Sequence, residues 1–112
     1  MVTIKRDRYV VFNVITDIGK IEESILKTSI WKTFQTIFGL VGSSSAGLYF
    51  EKYDDLNKKG IIRCTHTSLS QLLAVLAMIT ELKERRILIQ VLNISGTINK
   101  AKKCLTQNNF IV

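Results

Sequence analysis

The tightest constraint on this chain is the order in which its hydrophobic periods change. Residues 8–16, Arg-Tyr-Val-Val-Phe-Asn-Val-Ile-Thr, are β-branched and aromatic and read as a buried strand. Asp17 and Gly19 break it. Glu22 and Glu23 then stand in the first turn of a helix, where carboxylates favour the positive end of the backbone dipole. Ile18, Ile21, Ile25, Ile30, Phe34, Ile37 and Phe38 recur at three- and four-residue spacing, so this helix is expected over about 20–38, with Gly39 as a left-handed cap. Gly42-Ser-Ser-Ser-Ala-Gly47 is expected to form a loop. Residues 48–53 and 61–66 read as the two strands of a hairpin around a polar turn from Asp54 to Gly60. A capping box at Ser68-Leu-Ser-Gln71 opens a second helix, carried by Leu69, Leu72, Leu73, Leu76 and Ile79 to about Lys83. Residues 86–94 form the last strand. Ser95-Gly96-Thr97 interrupts it, and Ile98, Ala101 and Leu105 mark a short basic helix.

Strand, helix, strand, strand, helix, strand and a terminal helix define an α+β, ferredoxin-like or RRM-like βαββαβ sandwich. Its four-stranded antiparallel sheet carries two helices on one face, plus the C-terminal helix. At 112 residues the chain is expected to be one domain, with a folded core of about 5–105 and a tail over 106–112. RNA-recognition modules and metabolite-sensing domains share this plan, so the fold alone names no function.

The residue inventory argues against catalysis by the chain itself. His66 is its single histidine, so a two-histidine acid–base pair is out of reach. Cys64 and Cys104 are too few for a structural zinc site and read as buried thiols, so no metal ligands or catalytic residues are assigned. No phosphate-binding glycine loop, nucleophile elbow or dinucleotide fingerprint occurs. No apolar run reaches the ~18 residues of a membrane span, and the start does not read as a secretory signal. No membrane association and a cytoplasmic address are the expectations.

Sixteen Lys and Arg against nine Asp and Glu leave a net +7, which suggests an anionic partner. Solubility alone is the alternative reading of such an excess. In the expected topology the first strand is central and antiparallel to the third and fourth. One edge then gathers the candidate RNA-binding residues Lys5, Arg6, Arg8, Arg63, His66, Ser95, Gly96, Thr97, Lys100, Lys102 and Lys103. Helix starts at Ser68 and Thr97, and the 42–47 loop, add backbone amides that favour phosphate. The other reading makes Lys100–Lys103 simply the wet side of the last helix. The first strand is apolar on both faces (Tyr9, Val11, Ile15 against Val10, Phe12, Val14), as is the last (Ile87, Ile89, Val91 against Leu88, Leu92, Ile94). The second face needs a cover: the terminal helix, a second copy of the chain or a different protein. The third strand has no aromatic residue. Tyr9, Phe12, Tyr49, Phe50 and Tyr53 are assigned to the core or a partner, so base stacking on the sheet is disfavoured.

Arg8-Tyr-Val-Val-Phe, Gly47-Leu-Tyr-Phe-Glu-Lys-Tyr-Asp54, Gly60-Ile-Ile-Arg-Cys-Thr-His66, Val91-Leu-Asn-Ile-Ser-Gly-Thr-Ile98 and Lys100-Ala-Lys-Lys103, in that order, resemble the family of archaeal ribonuclease P protein component 2, homologous to the eukaryotic Pop-five subunit. The Ile- and Lys-rich, proline-free composition suits an archaeal source. The resemblance implies an accessory subunit of an endoribonuclease that removes the 5′ leader of precursor tRNA. The catalyst there is the RNA subunit with magnesium, and this chain binds no cofactor. It implies partnership with the catalytic domain of that RNA, with the TIM-barrel-like component 3, and with a second copy of this chain in a heterotetramer. Precursor tRNA would be met only indirectly. It directs attention to Arg63–His66 and Ser95–Thr97. His66 is open to two roles, contact with phosphate or sugar and a structural bond near the Ser68 helix start. The alternative class is a regulatory domain binding an anionic metabolite at the same edge.

Overall fold

β1 (Asp7–Ile15) is central because both of its faces are apolar. The computed structural model describes residues 6–106. After β1 come α1 (Glu23–Ser45), β2 (Tyr49–Asp54), β3 (Lys59–Thr65), α2 (Leu69–Met78), β4 (Glu81–Leu82), β5 (Arg85–Arg86), β6 (Leu88–Ser95) and α3 (Ile98–Thr106). The main sheet has the order β2-β3-β1-β6 with every neighbouring pair antiparallel. Asp7 faces Thr65, Tyr9 faces Ser95 and Tyr49 faces Arg63. One end of the sheet therefore collects the starts of β1 and β2 and the ends of β3 and β6, as the expected topology requires.

The two faces of β1 serve two cores. Val10, Phe12 and Val14 pack with Phe50, Ile62 and Ile89 under Leu26, Ile30 and Phe34 of α1 and Leu72, Val75 and Leu76 of α2. Burying each such side chain is worth about 1.5–3 kcal/mol. Phe12 meets the rings of Phe50 and Tyr53 at 6.0 and 6.2 Å. Its strand partner is Gly60, where a Cβ would lie 2.7 Å from the Lys52 carbonyl oxygen, so no side chain fits there. On the other face Val11, Ile61 and Ala101 are fully buried, flanked by Tyr9, Leu92, Ile98, Cys104 and Leu105. The cover for this second apolar face is thus α3. It leaves the far end open, where Ile15 and Leu88 stand opposite each other at 46% and 53% exposure.

Four local expectations are corrected. Gly39 does break α1, at φ 78°, but the chain re-enters helix to Ser45, so 42–47 is mostly not a loop. The Ser44 and Ser45 hydroxyls donate back to the Leu40 and Val41 carbonyls within that last segment. α2 stops at Met78 instead of about Lys83, and the residues beyond it form the β4–β5 hairpin, so the last sheet strand starts at Leu88. No capping box forms at Ser68. The end of β3 passes into a 3-10 turn, His66–Ser68, and the buried Ser68 hydroxyl accepts a hydrogen bond from Thr65 at 3.2 Å. Finally, Thr106, expected in the tail, closes α3. Both cysteines are free thiols, Cys64 buried and Cys104 half-buried. The rest of the expected tail, 107–112, lies outside the described residues, as does Lys5.

Candidate nucleic-acid interface

The sheet end that joins the starts of β1 and β2 to the ends of β3 and β6 is built by backbone pairing before any charge is considered. The His66 N–H donates to the Arg6 carbonyl at 2.7 Å, extending the β1–β3 ladder one step past Asp7 and Thr65. The His66 ring reinforces that step. Depending on tautomer, Nδ1 accepts the Arg6 N–H at 3.3 Å or donates to its carbonyl at 3.2 Å. The structural partner of His66 is therefore the Arg6 backbone, and not the Ser68 helix start. Both residues are exposed.

Arg8 is half-buried, and its Nη1 donates to the Asp7 carbonyl at 3.0 Å. The same nitrogen lies 3.7 Å from where a Cβ on Gly96 would stand, which places Arg8 beside the β6–α3 turn. Ser95 is buried, with its hydroxyl 3.4 Å from the Asn93 amide, so it shapes the turn and offers no open side chain. Thr97 caps α3: its Oγ1 accepts the Lys100 N–H at 3.3 Å, and its carbonyl accepts the Ala101 N–H. That cap sets the helix phase. Ala101, Cys104 and Leu105 turn toward the sheet while Lys100, Lys102 and Lys103 are exposed.

Arg63 departs from the expected arrangement. It sits two residues inside the end of β3, in an ion pair with Glu51 at 3.5 Å and over the Tyr49 ring at 5.1 Å. Among the described residues, Arg6, Arg8, Arg63, Lys100, Lys102 and Lys103 thus share this end with only Asp7 and Glu51, an excess of four. Tyr49, assigned from the sequence to the core or a partner, is 51% exposed and so lies outside the core, and Glu51 was not among the residues expected at this end. The register shift between Phe50 and Lys52 hides both, because alternation along β2 stops reporting which face a residue takes.

The chemistry that the described residues bring to this end is chiefly cationic. Burial pushes the Cys64 thiol up to about 11, so it stays protonated and unreactive at neutral pH. Among the described residues no group of three or more His, Cys, Asp or Glu could hold a metal ion, and no helix is long and apolar enough to cross a membrane. An open groove of about 330 Å³ lined by Asp17, Ile18, Gly19, Lys83 and Arg85 belongs to the opposite end of the sheet.

The sequence profile of the Rpp14/Pop5 family matches residues 8–106, from the start of β1 to the end of α3. The chain belongs to the Rpp14/Pop5 family. Its relatives within that family include the ribonuclease P protein component 2 of Pyrococcus abyssi, 33% identical over 98 residues that span 88% of this chain and 82% of the relative. The proteins of the same name from Archaeoglobus fulgidus and Methanosarcina mazei are 31% and 29% identical, covering 88% and 95% of this chain and 86% and 89% of theirs. A chain in the cryo-EM structure of yeast ribonuclease MRP superposes with a TM-score of 0.69 at 12% identity, over 87% of this chain and 79% of that one. That likeness shows that the two chains share a fold. The matched span includes every candidate residue except Lys5 and Arg6.

Proposed function

We propose that this Rpp14/Pop5 protein is an accessory subunit of ribonuclease P that grips the catalytic RNA through the basic end of its sheet. Removal of the 5′ leader from precursor tRNA is then left to that RNA and its magnesium. One observation carries the reading: among the described residues, six cations at one end of the sheet face only two acids. Cations in excess over the acids around them neutralise phosphates and release their counterions, which sets affinity and orientation without reading sequence. The name shared by the archaeal relatives supports the choice of RNA. The chain itself is read as non-catalytic, since its one histidine holds the Arg6 backbone and its buried thiol stays protonated. In the cytoplasm it would work beside the TIM-barrel-like component 3 and a second copy of itself, touching precursor tRNA only indirectly.

The test is reconstituted precursor-tRNA processing with and without this subunit across magnesium concentrations. The subunit is expected to lower the magnesium needed for cleavage. An unchanged magnesium requirement and rate would overturn the reading. Binding of the ribonuclease P RNA should weaken with salt at a log–log slope of roughly −3, about −0.7 for each of four single-strand phosphate contacts. A slope near zero would point instead to a small anionic ligand.

A further inference from the structure

We infer that Tyr49 is a stacking platform for an unpaired nucleobase, held in place by Arg63 at the edge of the sheet face that α3 covers only in part. The inference rests on the RNA-binding reading above and names what the basic end takes besides phosphate. Tyr49, Arg63, Tyr9 and Ser95 are direct register partners, one row crossing all four strands at that end. α3 packs over β6, β1 and β3, and Tyr9 is half-buried in the cluster beneath it. Tyr49, on the edge strand beyond them, keeps 51% of its surface exposed.

An exposed aromatic on an edge strand is ordinary taken singly. Its surroundings set this one apart. The Arg63 guanidinium lies 5.1 Å from the ring centroid and is itself anchored by Glu51 at 3.5 Å, so the ring has a fixed neighbour on one side. Glu51, the nearest acid, is spent on that anchor. The same end holds the excess of cations that draws in a phosphate backbone, so a strand arriving there brings its bases to the height of Tyr49. A paired helix hides its base faces and cannot use the ring, whereas an unpaired base can. The ligand chemistry is therefore single-stranded RNA, with the ring supplying sequence-tolerant stacking and the cations supplying attraction.

The experiment compares the full chain with Tyr49→Ala, Tyr49→Leu and Tyr49→Phe, using a short oligouridylate and an RNA duplex of equal length across a salt series. Removing the ring should weaken oligouridylate binding about tenfold, the scale of one base–aromatic stack, and leave the duplex untouched. The Phe variant should bind as the parent does. Leu, which keeps apolar bulk on the strand, should behave like Ala, so that a folding defect in Ala alone cannot imitate the result. The salt slope should not move. Equal loss on both probes, or no loss on either, overturns the platform. So does unchanged RNA binding together with weakened association with another protein subunit, which would make Tyr49 a protein contact. Replacing Lys100, Lys102 and Lys103 by Glu separates the two levels of the argument. Loss there with a silent Tyr49→Ala removes the platform and leaves the RNA reading intact, whereas silence in both removes both.

Discussion

Among the described residues, the two ends of the sheet carry the same number of cations and differ in where the acids stand. At the end opposite the candidate interface, Lys20, Lys58, Lys59, Lys83, Arg85 and Arg86 share space with Asp17, Glu22, Glu23, Asp54, Asp55, Glu81 and Glu84. Lys20 reaches Asp55 at 3.6 Å, Arg85 reaches Asp17 at 3.2 Å, and the Lys58 ammonium donates to the Ile18 carbonyl at 3.1 Å. Among the described residues, six cations there stand with seven acids, and six at the basic end stand with two. These are exposed pairs, worth little to stability, and their effect is on the field that an approaching polyanion meets. Net charge thus described the chain correctly and located nothing. Under the proposed function, the surface for RNA is distinguished by how few acids stand among its cations, and not by how many cations it has.

The largest expected effect breaks that symmetry directly. Converting Lys100, Lys102 and Lys103 to Glu should lower affinity for the ribonuclease P RNA by about a hundredfold or more at low salt and flatten the salt slope. Converting Lys58, Lys59 and Lys83 to Glu should cost less than about threefold, because those lysines sit where acids already cancel the field. Equal losses in a titration by filter binding would end the distinction between the two ends. A smaller effect runs the other way. Glu51→Gln removes one of the two acids at the basic end and frees Arg63 from its ion pair. Affinity should rise by about two- to threefold, with a slightly steeper salt slope. A drop would mean that Glu51 matters more as the anchor of Arg63 than as a negative charge.

How far the sequence reveals this comparison depends on which interactions set each part. β1's two apolar faces force it to the centre of the sheet, and antiparallel order then fixes which strand ends meet. The neighbourhood of Arg6, Arg8 and the α3 lysines follows from chain order alone. Side-chain pairing does not follow. Glu51 meets Arg63 because a register shift falls between Phe50 and Lys52, and no periodicity announces a bulge. The β4–β5 hairpin is hidden for a related reason. Ile79 and Leu82 are buried at a three-residue spacing that a helix would also give. Its turn residues Lys83 and Glu84 both adopt positive φ, 50° and 62°, without the Gly or Asn that usually signals such a turn. Composition misleads at the end of α1 as well, where a Gly/Ser-rich stretch stays helical while its serine hydroxyls bond back to carbonyls one turn earlier.

The smallest predicted effect concerns the opposite end and should leave RNA binding alone. Asp54 starts the β2–β3 turn: its Oδ1 accepts the Asn57 and Leu56 N–H groups at 3.1 Å each, and its Oδ2 accepts the Asn57 side-chain amide at 2.6 Å. The Asn57 backbone N–H is the main cause holding this carboxyl below its ordinary value, followed by the Asn57 side chain. A carboxyl depressed on folding contributes stability that is fully present above its unfolded value, near 3.9, and is lost as pH falls through the folded one. Asp54→Ala should therefore melt below the parent at neutral pH, and the gap in Tm should close as pH drops into the acid range. Asp54→Asn keeps an acceptor for the turn and should show a smaller gap at neutral pH, which shifts by about as much as that of the Ala variant as pH falls, because it too lacks the titrating carboxyl. A gap that stays constant from neutral to acid pH would assign the loss to backbone conformation instead of to the charge. RNA affinity of both variants should stay within about twofold of the parent, since an exposed carboxylate at the ion-paired end adds little to the field at the other. A larger change would mean that the two ends are electrically coupled and that the acids of one help to shape the binding surface of the other.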